Sequence, residues 1–148
     1  MLGAPELLAA FPTIGAMQVR GPAEEVLHQT VETGDRSTSI LPPPGGDVGR
    51  LIITILTTPD VPAVTDWYAE RFAMAKNPVR GSPIDIVNQA QGLPPDYGFD
   101  ATFLSMSERG NFLELWGLHP DKTTDRPRVD DQLLPGIALA SYAVKDLD

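Results

Sequence analysis

Three stretches crowded with proline and glycine, at residues 32–49, 77–100 and 119–136, divide this chain into separate ordered segments. Proline fixes φ and removes a backbone donor, so these stretches read as linkers or surface loops, Pro42-Pro43-Pro44-Gly45-Gly46 most plainly. Four ordered segments remain. Residues 14–31 hold two short apolar runs around Gly21-Pro22-Ala23-Glu24-Glu25 and read as a hairpin. Leu51-Ile52-Ile53-Thr54-Ile55-Leu56 is β-branched and reads as a strand buried on both faces or nearly so. Asp60 then caps a helix that tolerates Pro62 in its first turn, and Val61, Val64, Trp67, Tyr68 and Phe72 recur at helical spacing. Residues 101–118 form a second hairpin, turning at Glu108-Arg109-Gly110-Asn111, and residues 137–144 form a last strand. A short strand is expected between helix and hairpin, at residues 84–87.

The segments repeat. Asp60 and Asp146 are 86 positions apart, each behind an apolar strand and before an aliphatic residue. The same shift lays Met17 on Phe103, Val26 on Phe112, Leu27 on Leu113 and His28 on Glu114. The fold class is therefore α+β, built on a strand, helix, strand, strand, strand unit. Residues 50–118 make one complete unit. Residues 14–31 are the closing hairpin of another, and residues 137–148 the opening strand of a further one. The linkers are 32–49 and 119–136. A cropped unit leaves sheet edges unpaired, so the expectation is a homodimer or a segment of a longer chain.

Composition excludes much chemistry. With 11 basic against 20 acidic side chains the net charge is −9, which argues against nucleic acid or an anionic membrane as partner. No cysteine is present, so thiol catalysis and cysteine-held zinc are excluded. No apolar run approaches a membrane span and no basic segment leads into residues 1–16, which sets a cytoplasmic expectation. Pro43-Pro44-Gly45-Gly46-Asp47 lacks the lysine and helix of a phosphate loop, and no serine sits in a nucleophile elbow.

The run from Leu51 to Val61, followed by Asp66-Trp67-Tyr68-Ala69-Glu70-Arg71-Phe72, resembles the opening of a vicinal oxygen chelate module, the unit of glyoxalases, bleomycin-resistance proteins and extradiol dioxygenases. Gly110-Asn111-Phe112-Leu113-Glu114-Leu115 is similar to that family's last strand, where a Gly-Asn turn leads into a metal-ligand glutamate. Pro135-Gly136-Ile137 through Asp146-Leu147 resembles the opening of a next module. The resemblance implies paired βαβββ modules whose curled mixed sheets enclose a cleft. In catalytic members it implies a divalent metal such as Fe, Mn, Ni or Zn, held by His and Glu from the first and last strands. Glu114 stands at the Glu position; the first-strand His positions are Ile53 and Leu139, neither able to bind metal. His28, shifted by 86 from Glu114, is the candidate second ligand.

Strand alternation puts Glu114 on one face with Phe112 and Trp116, while Leu113 and Leu115 point the other way. A carboxylate among aromatics suits a metal ligand, a catalytic general base or a hydrogen-bond acceptor for a ligand; on a partly exposed face it sits in water. His28 is open to the roles of ligand, acid/base group or solvated strand histidine. Phe112 and Trp116 are the ligand-cleft candidates, and His119, before Pro120, reads as an exposed loop residue. Three functions compete: a metal-assisted lyase, isomerase or dioxygenase acting on a small oxygenated organic molecule; a metal-free module that binds or sequesters a small compound; and a non-catalytic structural module. Ile53 and Leu139 favour the second.

Overall fold

The computed structural model describes residues 2–108, 110–119, 121, 129–132 and 140–143. Its strands form two sheets. The first sheet joins β1 (Glu6–Leu8), β2 (Phe11–Arg20) and β3 (Val26–Glu32), all antiparallel, in the order β1-β2-β3. The turn between β2 and β3 closes by a hydrogen bond from Gly21 N to Glu25 O at 2.9 Å. Alternation along β2 buries Ile14, Ala16 and Gln18, and across the register these face Glu32, Thr30 and His28.

The second sheet is mixed. β4 (Ile53–Thr57) runs parallel to β8 (Phe112–Gly117), β8 antiparallel to β7 (Gly98–Ser105), and both β5 (Ala75–Lys76) and β6 (Arg80–Pro83) pair antiparallel with β7. Helix α1 (Val61–Phe72) links β4 to β5, and helix α2 (Asp85–Gln91) links β6 to β7. The architecture is thus α+β, with two helices and two sheets among the described residues.

Local chemistry accounts for the helix boundaries. Asp60 Oδ1 accepts from Ala63 N at 3.0 Å, satisfying one of the orphan donors of α1, and proline occupies the first turn where no intrahelical donor is needed. The turn into β8 needs Gly110. Its φ is +76°, and a Cβ there would come within 2.6 Å of Pro42 Cδ, so the incoming linker packs directly on this turn.

Two apolar layers flank the second sheet. On one face Leu104, Leu113 and Leu115 pack with Val61, Met74, Val64 and Tyr68 under α1. On the other, Phe99 and Trp116 pack with Ile86 and Val87 of α2 and Ala16 of the first sheet. No helix of the described residues is long and apolar enough to cross a membrane.

Several expectations are corrected. The strand at 51–56 begins at Ile53 and is half-buried, because β4 pairs on one side only; Leu51 is 74% exposed. Residues 84–87 form no strand. Ile84 is the N-cap of α2, and Gly92, in the left-handed conformation, ends that helix. The helical spacing that puts Tyr68 and Phe72 between helix and sheet holds for Tyr68 only: Phe72 is 40% exposed and stacks on Tyr68, while the Arg71 guanidinium lies over the exposed Trp67 ring at 5.1 Å. The single shift of 86 does not preserve pairing either. Gln18 faces His28, yet Phe103 rather than Leu104 faces Glu114, so the second hairpin is one residue longer. The strand expected at 137–144 falls mostly outside the described residues; residues 140–143 carry no regular structure.

Candidate functional site

β8 is the central strand between β4 and β7, and its register decides what surrounds Glu114. Ile55 lies opposite on β4, Phe103 opposite on β7, and Phe112 and Trp116 precede and follow on the same face. Glu114 is only 7% exposed. The reading that places it in water on a partly exposed face is overturned. Burial among these groups raises its pKa from 4.5 to about 7, and no cation among the described residues offsets that. At neutral pH the carboxyl is therefore divided between its neutral and ionised forms.

Trp116, at 6% exposure, is as enclosed as Glu114. Its indole N–H lies beside the carboxyl, near enough to pull the Glu114 pKa slightly down against the larger effect of burial. It nevertheless makes no hydrogen bond of proper geometry with any described residue. A buried indole N–H usually finds a side-chain or water partner, and the Glu114 carboxyl is the polar group beside this one.

His28 projects from the inner face of the first sheet. Gln18 Nε2 donates to His28 Nδ1 at 3.3 Å, and burial holds the His28 pKa below its usual value, so the ring is neutral near pH 7. Gln18 Oε1 is itself buried without a partner among the described residues. Burial shifts Glu114 and His28 in opposite directions, and neither responds to the charge of the other. His119 is exposed, donating its backbone N–H to Tyr97 Oη at 3.0 Å and contacting Asp121 through Nδ1.

The face opens at the Phe112 end. A hollow of about 340 Å³ is bounded by Thr38, Ser39, Ile40, Ser105, Met106, Glu108, Gly110 and Phe112. That volume is within the range of small-molecule sites. Its far wall is the linker, which is not loose here. Glu32, at the end of β3, takes hydrogen bonds from Gly34 N at 2.9 Å and from the Ser39 and Thr13 hydroxyls. Those bonds, with the Arg36 charge, hold its carboxyl below the usual range. A second hollow, on the other side of Phe112, is lined by residues of the Leu51–Thr54 approach and by Ser141, Tyr142 and Ala143. Phe112 lines both hollows; Trp116 lines neither.

The metal set implied by the family does not fit these residues. The first-strand position is Ile53, whose neighbour across the ladder is Phe112, and Leu139 lies outside the described residues. Glu114 and His28 belong to different sheets. No three His, Cys, Asp or Glu side chains among the described residues cluster closely enough to hold a metal ion. Sequence reasoning missed Gln18 and Glu32. The alternation that buries Ile14 and Ala16 also buries Gln18, and Glu32 was hidden by its place at the start of a linker.

Compared with family models, curated proteins and solved structures, the chain matches none.

Proposed function

We propose that this chain is a small-molecule-binding module of the vicinal oxygen chelate type that its motifs resemble, and that it holds its ligand without metal at the Phe112 end of the buried face. The observation that carries this reading is Glu114: a carboxyl 7% exposed, boxed by Ile55, Phe103, Phe112 and Trp116, one residue along the face from an open hollow. A carboxyl so placed costs folding energy and adds no packing that an apolar side chain would not supply better, which fits a role in recognition. The order β4-β8-β7-β5, with β4 parallel to β8 and α1 between β4 and β5, supports the family reading. Apolar Ile53 at the ligand position supports binding over metal-assisted catalysis.

In this reading Phe112 and Met106 supply apolar contact, the hydroxyls of Ser39 and Ser105 line the entrance, and Glu114 fixes an oxygen or nitrogen of the ligand. Among the described residues β3 and β4 each pair with one neighbour only, which supports assembly with a second chain.

Titrating a fragment library against isotopically labelled protein tests the site. The expected result is a set of fragments that shifts the amides of Ser105, Met106 and Phe112 and loses affinity in Glu114→Gln. Fragments that bind only elsewhere overturn it. Elemental analysis of the purified protein tests the other branch: near-stoichiometric Fe, Mn, Ni or Zn that vanishes in Glu114→Gln replaces the proposal with a metal-assisted enzyme.

A further inference from the structure

The margins of the two sheets differ in how far they discourage pairing. β1 is three residues long, holds Glu6 and is irregular between Leu7 and Leu8. β5 and β6, which share the outer side of β7, are short and bring Lys76, Arg80 and Pro83. The start of β4, Ile53 and Thr54, shares a hollow with Ser141, Tyr142 and Ala143. β3 has none of these protections. Its seven residues contain no lysine, arginine or proline, and its register with β2 is unbroken from Val26 to Glu32. On its outer side Leu27 is 38% and Val31 51% exposed. Its one carboxylate, Glu32, is engaged within the chain by Gly34 N at 2.9 Å.

The ladder shows which backbone groups the edge offers. Gly21 N donates to Glu25 O at 2.9 Å and Thr33 N to Thr13 O at 2.8 Å, so both ends close on odd-numbered residues. Hydrogen-bonded pairs alternate along an antiparallel ladder. Leu27, Gln29 and Val31 therefore bond to β2, and the N–H and C=O groups of Val26, His28, Thr30 and Glu32 turn to the free edge. That edge fits a copy of itself. With a second β3 antiparallel beside it and Gln29 on the two-fold axis, Val26 meets Glu32 and His28 meets Thr30 as hydrogen-bonded pairs over the whole strand. Leu27 then lies against Val31 of the second copy, apolar on apolar. Arg20, which pairs with Glu24 at 3.0 Å, falls in one row with Val26 and the arriving Glu32, about 10 Å from that residue at the backbone. The two-fold axis stands normal to the sheet and keeps outer face beside outer face. Parallel copies would set the apolar outer face of one beside the inner face of the other.

We propose that β3 is an interface for a second copy of this chain, pairing antiparallel about Gln29 and joining two three-stranded sheets into one. β8, on which the shift of 86 lays β3, carries β4 along the corresponding edge. β3 gains its second neighbour from another molecule, in an isologous contact that closes at two chains. The inference goes beyond the small-molecule reading and does not depend on it.

Sedimentation velocity across a dilution series, with backbone hydrogen exchange, tests it on the wild-type chain. The expected result is a monomer–dimer equilibrium. The His28 and Thr30 amides are protected while the dimer dominates and lose protection on dilution; those of Leu27, Gln29 and Val31 stay protected throughout. Leu27→Lys with Val31→Lys sets like charges opposite each other twice and is expected to weaken the dimer roughly tenfold or more. Leu27→Lys with Val31→Glu sets opposite charges there and restores it. Both positions are exposed in the single chain, so its fold tolerates these changes. A monomer at every concentration overturns the proposal. A dimer whose His28 and Thr30 amides exchange freely also overturns it, because another face then holds the copies together. Assembly beyond two chains does the same. A dimer that survives Leu27→Lys with Val31→Lys overturns the register about Gln29, and the proposal with it. The wild-type series decides the matter even where a variant does not fold.

Discussion

Glu32 and Glu114 are the same residue type with nearly the same exposure, 8% and 7%, yet their carboxyls are shifted in opposite directions. The difference lies in depth as well as in place along the strand: Glu114 is enclosed deeply enough for desolvation to dominate, whereas Glu32 lies close to the surface and its hydrogen bonds dominate. Glu32 is the last residue of β3, so the chain beyond it turns back and offers donors that no ladder has claimed: Gly34 N–H and the Ser39 hydroxyl. Glu114 is in the middle of a central strand, where the backbone donors on both sides are committed to β4 and β7. Buried carboxylates are stable where the backbone is irregular and costly where it is regular. A costly one, beside an open hollow, is the better candidate for function.

The comparison can be broken most directly through pH. Glu114 has its folded pKa raised, so its favourable contribution is complete below 4.5 and is lost as pH rises towards about 7. Urea unfolding at pH 5 and pH 8 is expected to show wild type losing roughly 2 to 3 kcal/mol relative to Glu114→Gln over that interval. Parallel curves for the two proteins mean that Glu114 is not desolvated. Glu32 runs the other way: its stabilisation is present above the ordinary carboxylate pKa and disappears as pH falls through its lowered value. Glu32→Gln is expected to lower the melting temperature by several degrees at pH 7, with the deficit narrowing in acid and the Gly34 amide losing protection from hydrogen exchange. An unchanged melting temperature removes the anchor role.

Smaller effects sharpen the contrast. Ser39→Ala takes away one donor, so the Glu32 pKa, followed by carbon-13 NMR, moves back toward 4.5 with only a slight loss of melting temperature. His28 tests whether burial alone accounts for the inner faces. Its NMR titration midpoint is expected below 6.5, and it stays there in Glu114→Gln, because neither group acts on the other through charge. A midpoint that falls when the carboxylate is removed brings the two side chains together as a pair.

Much of this was legible in the sequence. The Asp60 cap needs only a short polar side chain ahead of Val61-Pro62, and the structure places its carboxylate on Ala63 N. The hairpin turns at Gly21 and Gly110 and the grouping of Glu114 with Phe112 and Trp116 follow from turn chemistry and a period of two. What escaped depends on longer-range facts. α2 hides between Pro83 and Pro94-Pro95 and is too short for periodicity, although Asp85 in its first turn and Gly92 at its end were usable signals. The one-residue difference between the hairpins is set by turn length, which a uniform shift cannot detect. The closure of the Trp116 end of this face comes from the packing of the first sheet and α2, which no local pattern encodes.

The parallel pairing of β4 with β8 joins residues about 60 positions apart, from Ile53 to Phe112, whereas β7 and β8 meet across one short turn. Local contacts form first and long loops close later, so the hairpin carrying Glu114 assembles while its carboxyl still faces water. The penalty for enclosing that charge then falls on the last docking step. Its kinetic signature is an unfolding rate that climbs between pH 5 and pH 8 while the refolding rate stays level.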